Sequence, residues 1–277
     1  MLVALSIWLA AAPALAQPGG NGPPDDKRYQ QLYDRGDYAG ALIEAQRFEA
    51  AVKAKFGTRH SNYAVALIHL GVVYKQLGRY AEAEGLLRRA LEVTESAVGA
   101  SHPETAKAMV HVALALDYQG KYAEAVELLK RASSIQEHAL GPNHPDLSYT
   151  VSNLGIEYWR MGRYAEAEPL LKRDLALTER ARGANSPSVA HSLVNLAVLY
   201  YELGRFTETE DFYKRALAIF ENAGGPDHPE VLRTLQNLAN LYGTWGRYLD
   251  ASAVQARTRR AREKARLESS RCRAHAL

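Results

Sequence analysis

Four histidines are the first residues here that could do chemistry. His60, His102, His144 and His228 each stand in a short linker, and the last three read Gly-x-x-His-Pro. A metal site needs several ligands converging on one point. These histidines fall one per linker, so the spacing predicts capping or packing of each linker, and no metal or cofactor is assigned. The chain has no Gly-x-x-x-x-Gly-Lys-Ser/Thr loop, no Gly-x-Ser-x-Gly elbow and no His-Glu-x-x-His pair. No nucleophile stands in a recognisable arrangement with a base, so the chain is not expected to be an enzyme. A second periodic set is more informative. Asn153, Asn195 and Asn237 are 42 residues apart. An amide side chain both donates and accepts hydrogen bonds, which suits an extended polypeptide backbone.

The elements that must hold these residues are set by one repeated stretch. Gly78-Arg79-Tyr80-Ala81-Glu82-Ala83 recurs from Gly120, from Gly162, more loosely from Gly204 and Gly246, and in a first copy from Gly36. The period is 42 residues without slippage, the mark of a repeat architecture. Each unit carries two helical patterns. In the first, Leu67, Leu70, Gly71, Tyr74 and Leu77 make one apolar face. The Gly71 position is always small (Ala113, Gly155, Ala197, Ala239), as a close helix crossing requires. Glycine at 78 suits a helix C-terminus. The second helix then buries Ala83, Leu87, Ala90 and Leu91. In the linkers, proline followed by an acidic residue suits the first turn of the next helix. Asp174 departs from the alanine seen at 90, 132 and 216; an acid there is expected to reach solvent or a cation.

Leu-Gly/Ala-x-x-Tyr followed by Gly-x-Tyr-x-x-Ala resembles the tetratricopeptide repeat. The period of 42 and the Gly-x-x-His-Pro linkers resemble the longer-helix variant found in kinesin light chains. The resemblance spans about residues 26–260. It implies an all-α, right-handed superhelical solenoid of helix–turn–helix repeats, with the leading helix of each unit lining a concave groove. On that helix the residue before Leu70 is His69, with His111, Asn153, Asn195 and Asn237 as equivalents. One turn earlier come Val65, Lys107, Tyr149, His191 and Arg233. One turn later come Val72, Leu114, Ile156, Val198 and Asn240. Beyond lie Lys75, Asp117, Trp159, Tyr201 and Gly243. The resemblance implies that Asn153, Asn195 and Asn237 contact a bound peptide backbone; the alternative is that they bond within the solenoid or to water. Aromatic residues and arginine dominate binding when a partner buries them. The expected peptide site is therefore Tyr149, Asn153, Trp159, His191, Asn195, Tyr201, Arg233, Asn237 and Asn240, with Lys107 and His111 before it.

Composition bounds the remaining choices. The net charge is +3, but residues 252–277 carry a local +6. The excess lies in the tail and not on the repeats, so nucleic acid is not the expected partner. The single cysteine, Cys272, excludes an internal disulfide. The first 16 residues are a short apolar run ending Ala14-Leu15-Ala16, which reads as a signal peptide. No cysteine follows it to carry a lipid anchor. The expected plan is a signal peptide over 1–16, a flexible lead-in over 17–25, a solenoid of about six units over 26–266 with the first truncated, and a basic flexible tail over 267–277. The expected function is an exported, periplasmic or secreted scaffold that binds a protein or peptide segment in its groove. No integral membrane contact is expected, although the tail could touch an anionic surface weakly. The alternative is a structural or oligomerisation module, or an accessory subunit of an envelope enzyme complex.

Overall fold

A computed structural model describes residues 26–274, with side chains as far as 261 and at 263. The signal peptide and the lead-in expected over 1–25 lie outside the described residues. All twelve elements described are α-helices. They are α1 (Lys27–Asp34), α2 (Tyr38–Phe56), α3 (Ser61–Gln76), α4 (Tyr80–Val98), α5 (Pro103–Asp117), α6 (Tyr122–Leu140), α7 (Leu147–Arg160), α8 (Tyr164–Arg182), α9 (Pro187–Glu202), α10 (Phe206–Gly224), α11 (Pro229–Thr244) and α12 (Tyr248–Ala274). The last helix runs to Ala274, into the segment 267–277 read above as the tail. Two compact units are distinguished. One holds α1 to α7, and the other, from Gly162, holds α8 to α12. Within each, every helix packs on its neighbours in sequence order, and in the first unit α3 also touches α5. Among the described residues no helix is long and apolar enough to cross a membrane.

Local chemistry explains the boundaries. Three linker histidines, His60, His102 and His228, are N-caps, and His144 makes the same bond two residues ahead of Asp146, the N-cap of α7. His60 Nδ1 accepts from Asn62 N at 3.1 Å, His102 Nδ1 from Glu104 N at 3.1 Å, His144 Nδ1 from Asp146 N at 3.2 Å and His228 Nδ1 from Glu230 N at 3.3 Å. Each cap satisfies one of the donors that a helix start leaves unpaired. At the other end, Gly78 takes φ +75°. Arg79 N then reaches back to Tyr74 O at 2.9 Å, closing α3.

The repeated stretch also carries a clamp. The Arg79 guanidinium lies 4.3 Å from the Tyr74 ring centre and its Nε is 2.6 Å from Glu82. Arg205 repeats this on Tyr200 and Glu208, and Arg247 on Tyr242 and Asp250. The same cations reach the preceding trailing helix: Arg205 contacts Glu168 and Arg247 contacts Glu210. A second series joins successive trailing helices, Glu95 to Arg131, Glu179 to Arg215 and Glu221 to Arg257. Asp174 is buried, away from solvent, and accepts a hydrogen bond from Thr178 Oγ1 at 3.2 Å, one turn along its own helix.

Candidate functional site

In the first unit, α3, α5 and α7 present one face built from residues of equal register. Its top is aromatic: His69 stacks on Tyr29 of α1 at 4.4 Å between ring centres and tilts against Phe48 of α2. Burial lowers the His69 pKa, with Asp26 opposing. His111 is pushed down to about 4, by burial first and then by the charge of Lys75 and His69. His111 is a neutral imidazole at pH 7. Next to His111 is Lys75, only 3% exposed. Burial lowers its pKa to about 8, against the pull of Asp117. Its Nζ sits 5.3 Å from the Tyr118 ring centre.

The lower part of this face is a cluster of charges. Asp117 is 3% and Glu157 is 2% exposed. Arg160 Nε lies 2.9 Å from Asp117 Oδ1. Burial raises the Asp117 pKa, opposed by Arg160, a hydrogen bond with Glu157, and Lys75. Burial likewise raises Glu157 to about 8, helped by the Asp117 charge and opposed by Arg160. At neutral pH the two carboxyl groups therefore share a proton. Sequence reasoning placed Asp117 on this face but passed over Glu157 and Arg160. A signal for Glu157 existed. Its register holds Val73, Ala115, Leu199 and Leu241 in the other units, all fully buried. An acid at a core register is costly unless paired. Arg160 follows another rule, in which a residue near the end of one leading helix meets the residue 43 further on. Tyr33 OH accepts from Gln76 at 2.6 Å, Lys75 meets Tyr118, Asp117 meets Arg160, and Tyr201 OH meets Thr244 Oγ1 at 2.7 Å.

Several buried polar atoms on this face lack a hydrogen bond of good geometry among the described residues. They are His69 Nδ1, Trp159 Nε1 and Arg160 Nε, the last facing Asp117 Oδ1 at 2.9 Å, whereas the Asp117 and Glu157 carboxyls bond each other and the Tyr149 hydroxyl meets Asn153. Burial, with Tyr33 and Tyr118, raises the Tyr149 pKa, so its hydroxyl keeps its proton and can donate. Native interiors rarely leave such groups unmatched. The other expected residues of this unit are partly committed. Asn153 Nδ2 donates to Tyr149 O at 2.7 Å, one turn back on its own helix, and its carbonyl remains to accept. Lys107 binds Glu104 at 2.9 Å and Asp146 at 3.5 Å, which ties α5 to the start of α7.

In the second unit the same registers fall on α9 and α11. Asn195 and Asn237 are each 8% exposed. Asn240 is exposed and accepts from Gln236 Nε2 at 3.2 Å. His191 lies edge-on to Phe220, with 5.0 Å between ring centres. Its pKa is lowered to about 4 by burial, then by Arg233 and His228. Arg233 pairs with Glu230. Among the described residues no group of three histidine, cysteine or acidic side chains is placed to hold a metal. What both faces offer is recognition: amides, aromatic donors and desolvated charges, presented by helices whose other sides are packed.

Comparison with known proteins agrees with this architecture. A family model described as tetratricopeptide repeat matches residues 30–96, 63–138, 104–180, 152–222 and 188–264. No curated protein sequence matches significantly. Among solved structures, BtubC from P. vanneervenii is 22% identical, with 86% of this chain and 92% of that chain covered and a TM-score of 0.68. A kinesin light chain-type protein of Podosopora anserina with nearly identical repeats is 23% identical, covers 72% and 94%, and has a TM-score of 0.57. Aspartyl phosphate phosphatase F from Bacillus subtilis is 17% identical, covers 85% and 68%, and scores 0.60. At these identities the likeness is one of fold.

Proposed function

The chain belongs to the tetratricopeptide repeat family, and from that premise we propose that it is a protein-interaction scaffold whose leading helices grip a polypeptide segment without catalysing a reaction on it. The observation that carries this reading is the face of α3 and α7 on which His69 Nδ1, Trp159 Nε1 and Arg160 Nε are buried without a hydrogen bond of good geometry. A polypeptide supplies both donors and acceptors, and pairing a desolvated polar atom is worth more than pairing an exposed one. The recurrence of an amide at 153, 195 and 237 supports the same reading, because one repeated reader suits one repeated backbone. Crosslinking capture from the native compartment tests it. The wild type should enrich a protein that the Asn153→Ala, Asn195→Ala, Asn237→Ala triple variant enriches at least about tenfold less, a loss of roughly 1.4 kcal/mol or more of binding from the three amides together. The helical circular dichroism of the variant should be unchanged. Equal enrichment by a folded variant would refute the amide role.

We also place this scaffold outside the cytoplasm, on the apolar run that ends at Ala16. N-terminal sequencing of the protein recovered from the envelope or medium should begin at Gln17. Recovery of a cytoplasmic chain that begins at Met1 would remove this proposal and leave the scaffold reading standing.

A further inference from the structure

We propose that the outward face of α12 docks on an anionic lipid surface and so holds the protein at a membrane. The repeat register makes this face stand out. Leu249 is 89% and Tyr248 71% exposed. The position of Leu249 carries Ala39, Ala81, Ala123, Ala165 and Thr207 in the other units, all of them exposed. The fold therefore needs no large side chain there. Tyr248 is bare for another reason. Its equivalent Tyr80 stacks on Tyr118, at the end of α5, with 5.2 Å between ring centres, and Phe206 packs on Trp245, at the end of α11, at 5.9 Å. No leading helix follows α12 among the described residues, so Tyr248 has no such neighbour.

Cations continue the same face. At helical spacing Tyr248, Leu249, Ser252, Gln255, Arg259 and Arg260 fall on one side of α12, and all six are exposed. In α10 the registers of Gln255 and Arg259 hold Tyr213 and Leu217, which are buried. A polar side chain and a cation at these positions end the stack, so a second copy continuing the solenoid is not the occupant. Arg257 pairs with Glu221, whereas Arg259 and Arg260 have no acidic partner among the described residues. Glu263 is the one described acid on this side. Arg262, Arg266 and Arg273 follow Arg259 in the sequence at spacings of three, seven and fourteen residues. The helix has 27 residues, a rod of about 40 Å, where α10 has 19. A row of unpaired cations beside a protruding leucine and tyrosine suits a surface whose anions move to meet the charges. Lipid headgroups do this, while a folded acidic partner would need a fixed matching pattern. Leucine reaches below the headgroups, tyrosine settles at their level, and each arginine adds attraction to the anionic surface.

The test is vesicle flotation of the chain from Gln17, which keeps every described residue and leaves out the apolar run before it, itself able to bind lipid. Vesicles of phosphatidylcholine with about 30% phosphatidylglycerol should bind the protein at least about tenfold more strongly than phosphatidylcholine alone at low salt. High salt should remove most of the difference. Leu249→Ala installs the residue type of four other units, so folding is kept, and binding should weaken about threefold or more. The pair Arg259→Gln, Arg260→Gln should weaken it about tenfold or more. The control pair Arg89→Gln, Lys130→Gln removes the same charge from cations already paired with Glu92 and Glu127. It should change binding less than about twofold. Helical circular dichroism should be unchanged in all variants. Equal binding to the two kinds of vesicle would overturn the proposal. So would equal weakening by the control pair, which would leave net charge as the whole cause, or full binding by Leu249→Ala. Tighter binding to soluble polyglutamate than to the anionic vesicles would assign the face to an acidic protein instead. None of these results bears on capture by the amide positions, which is measured separately.

Discussion

Glu157→Gln should raise the thermal midpoint at pH 8 and leave it nearly unchanged near pH 4. Burial holds the folded carboxyl up to about 8, whereas the unfolded one ionises in the ordinary range near 4.5. Between these values the folded protein keeps a proton that the unfolded chain has lost. Stability from this residue therefore falls as pH rises through that window, and it is level above pH 8. Glutamine has no proton to lose and can donate an N–H to Asp117. The difference between variant and wild type should grow from pH 4.5 to pH 8 and then stop growing. At least about 1 kcal/mol is expected at pH 8, which in a chain of this size is roughly 2–4 °C. His111 and His191 titrate in both proteins and cancel in the comparison. Lys75 acts in the opposite sense and at higher pH. Its folded pKa of about 8 lies below its ordinary 10.5, so its contribution rises from pH 8 to 10.5. Differential scanning calorimetry across pH 4–10 reads both effects. A difference independent of pH would mean that the carboxyl pair does not share a proton.

Gly71→Ala should destabilise the chain, against the rule that alanine favours a helix interior over glycine by about 1 kcal/mol. Gly71 lies within α3, which packs on α4. A Cβ built there would stand 2.6 Å from Leu87 Cγ and 2.7 Å from Leu87 Cδ2. Leu87 is 2% exposed and has little freedom to withdraw. The strain should outweigh the propensity gain, with a net cost of about 1–3 kcal/mol. Leu87→Ala alone should cost about 2–5 kcal/mol, because it empties the space between the helices. Combined, the two changes should cost less than their sum, since the new methyl occupies part of the cavity it otherwise clashes with. Chemical denaturation of the four proteins completes the cycle. Strict additivity would show that the α3–α4 crossing does not depend on the missing side chain.

Much of this molecule could be read from its sequence. The 42-residue ruler located every helix pair and every turn, because a repeat has to solve the same packing problem each time. Small residues at 71 and 113 marked the crossings for the same reason. The histidines at 60, 102, 144 and 228 were legible as linker devices because their spacing kept them apart, and the structure shows His60, His102 and His228 capping helices and His144 making the same bond within its linker. The groove registers could be written down before any coordinates. What each residue does there could not, because periodicity carries no information about pairing across units. Lys107 reads as a groove cation, yet it is held by Glu104 and Asp146. Asn153 reads as a backbone reader, yet it spends one donor on its own helix. The sequence by itself determined the repeat, the helices and the positions that vary. Only the tertiary structure decided that Lys75, Asp117, Glu157 and Arg160 form one desolvated cluster. Their fate depends on burial and on neighbours 40 or more residues away, and those are properties of packing.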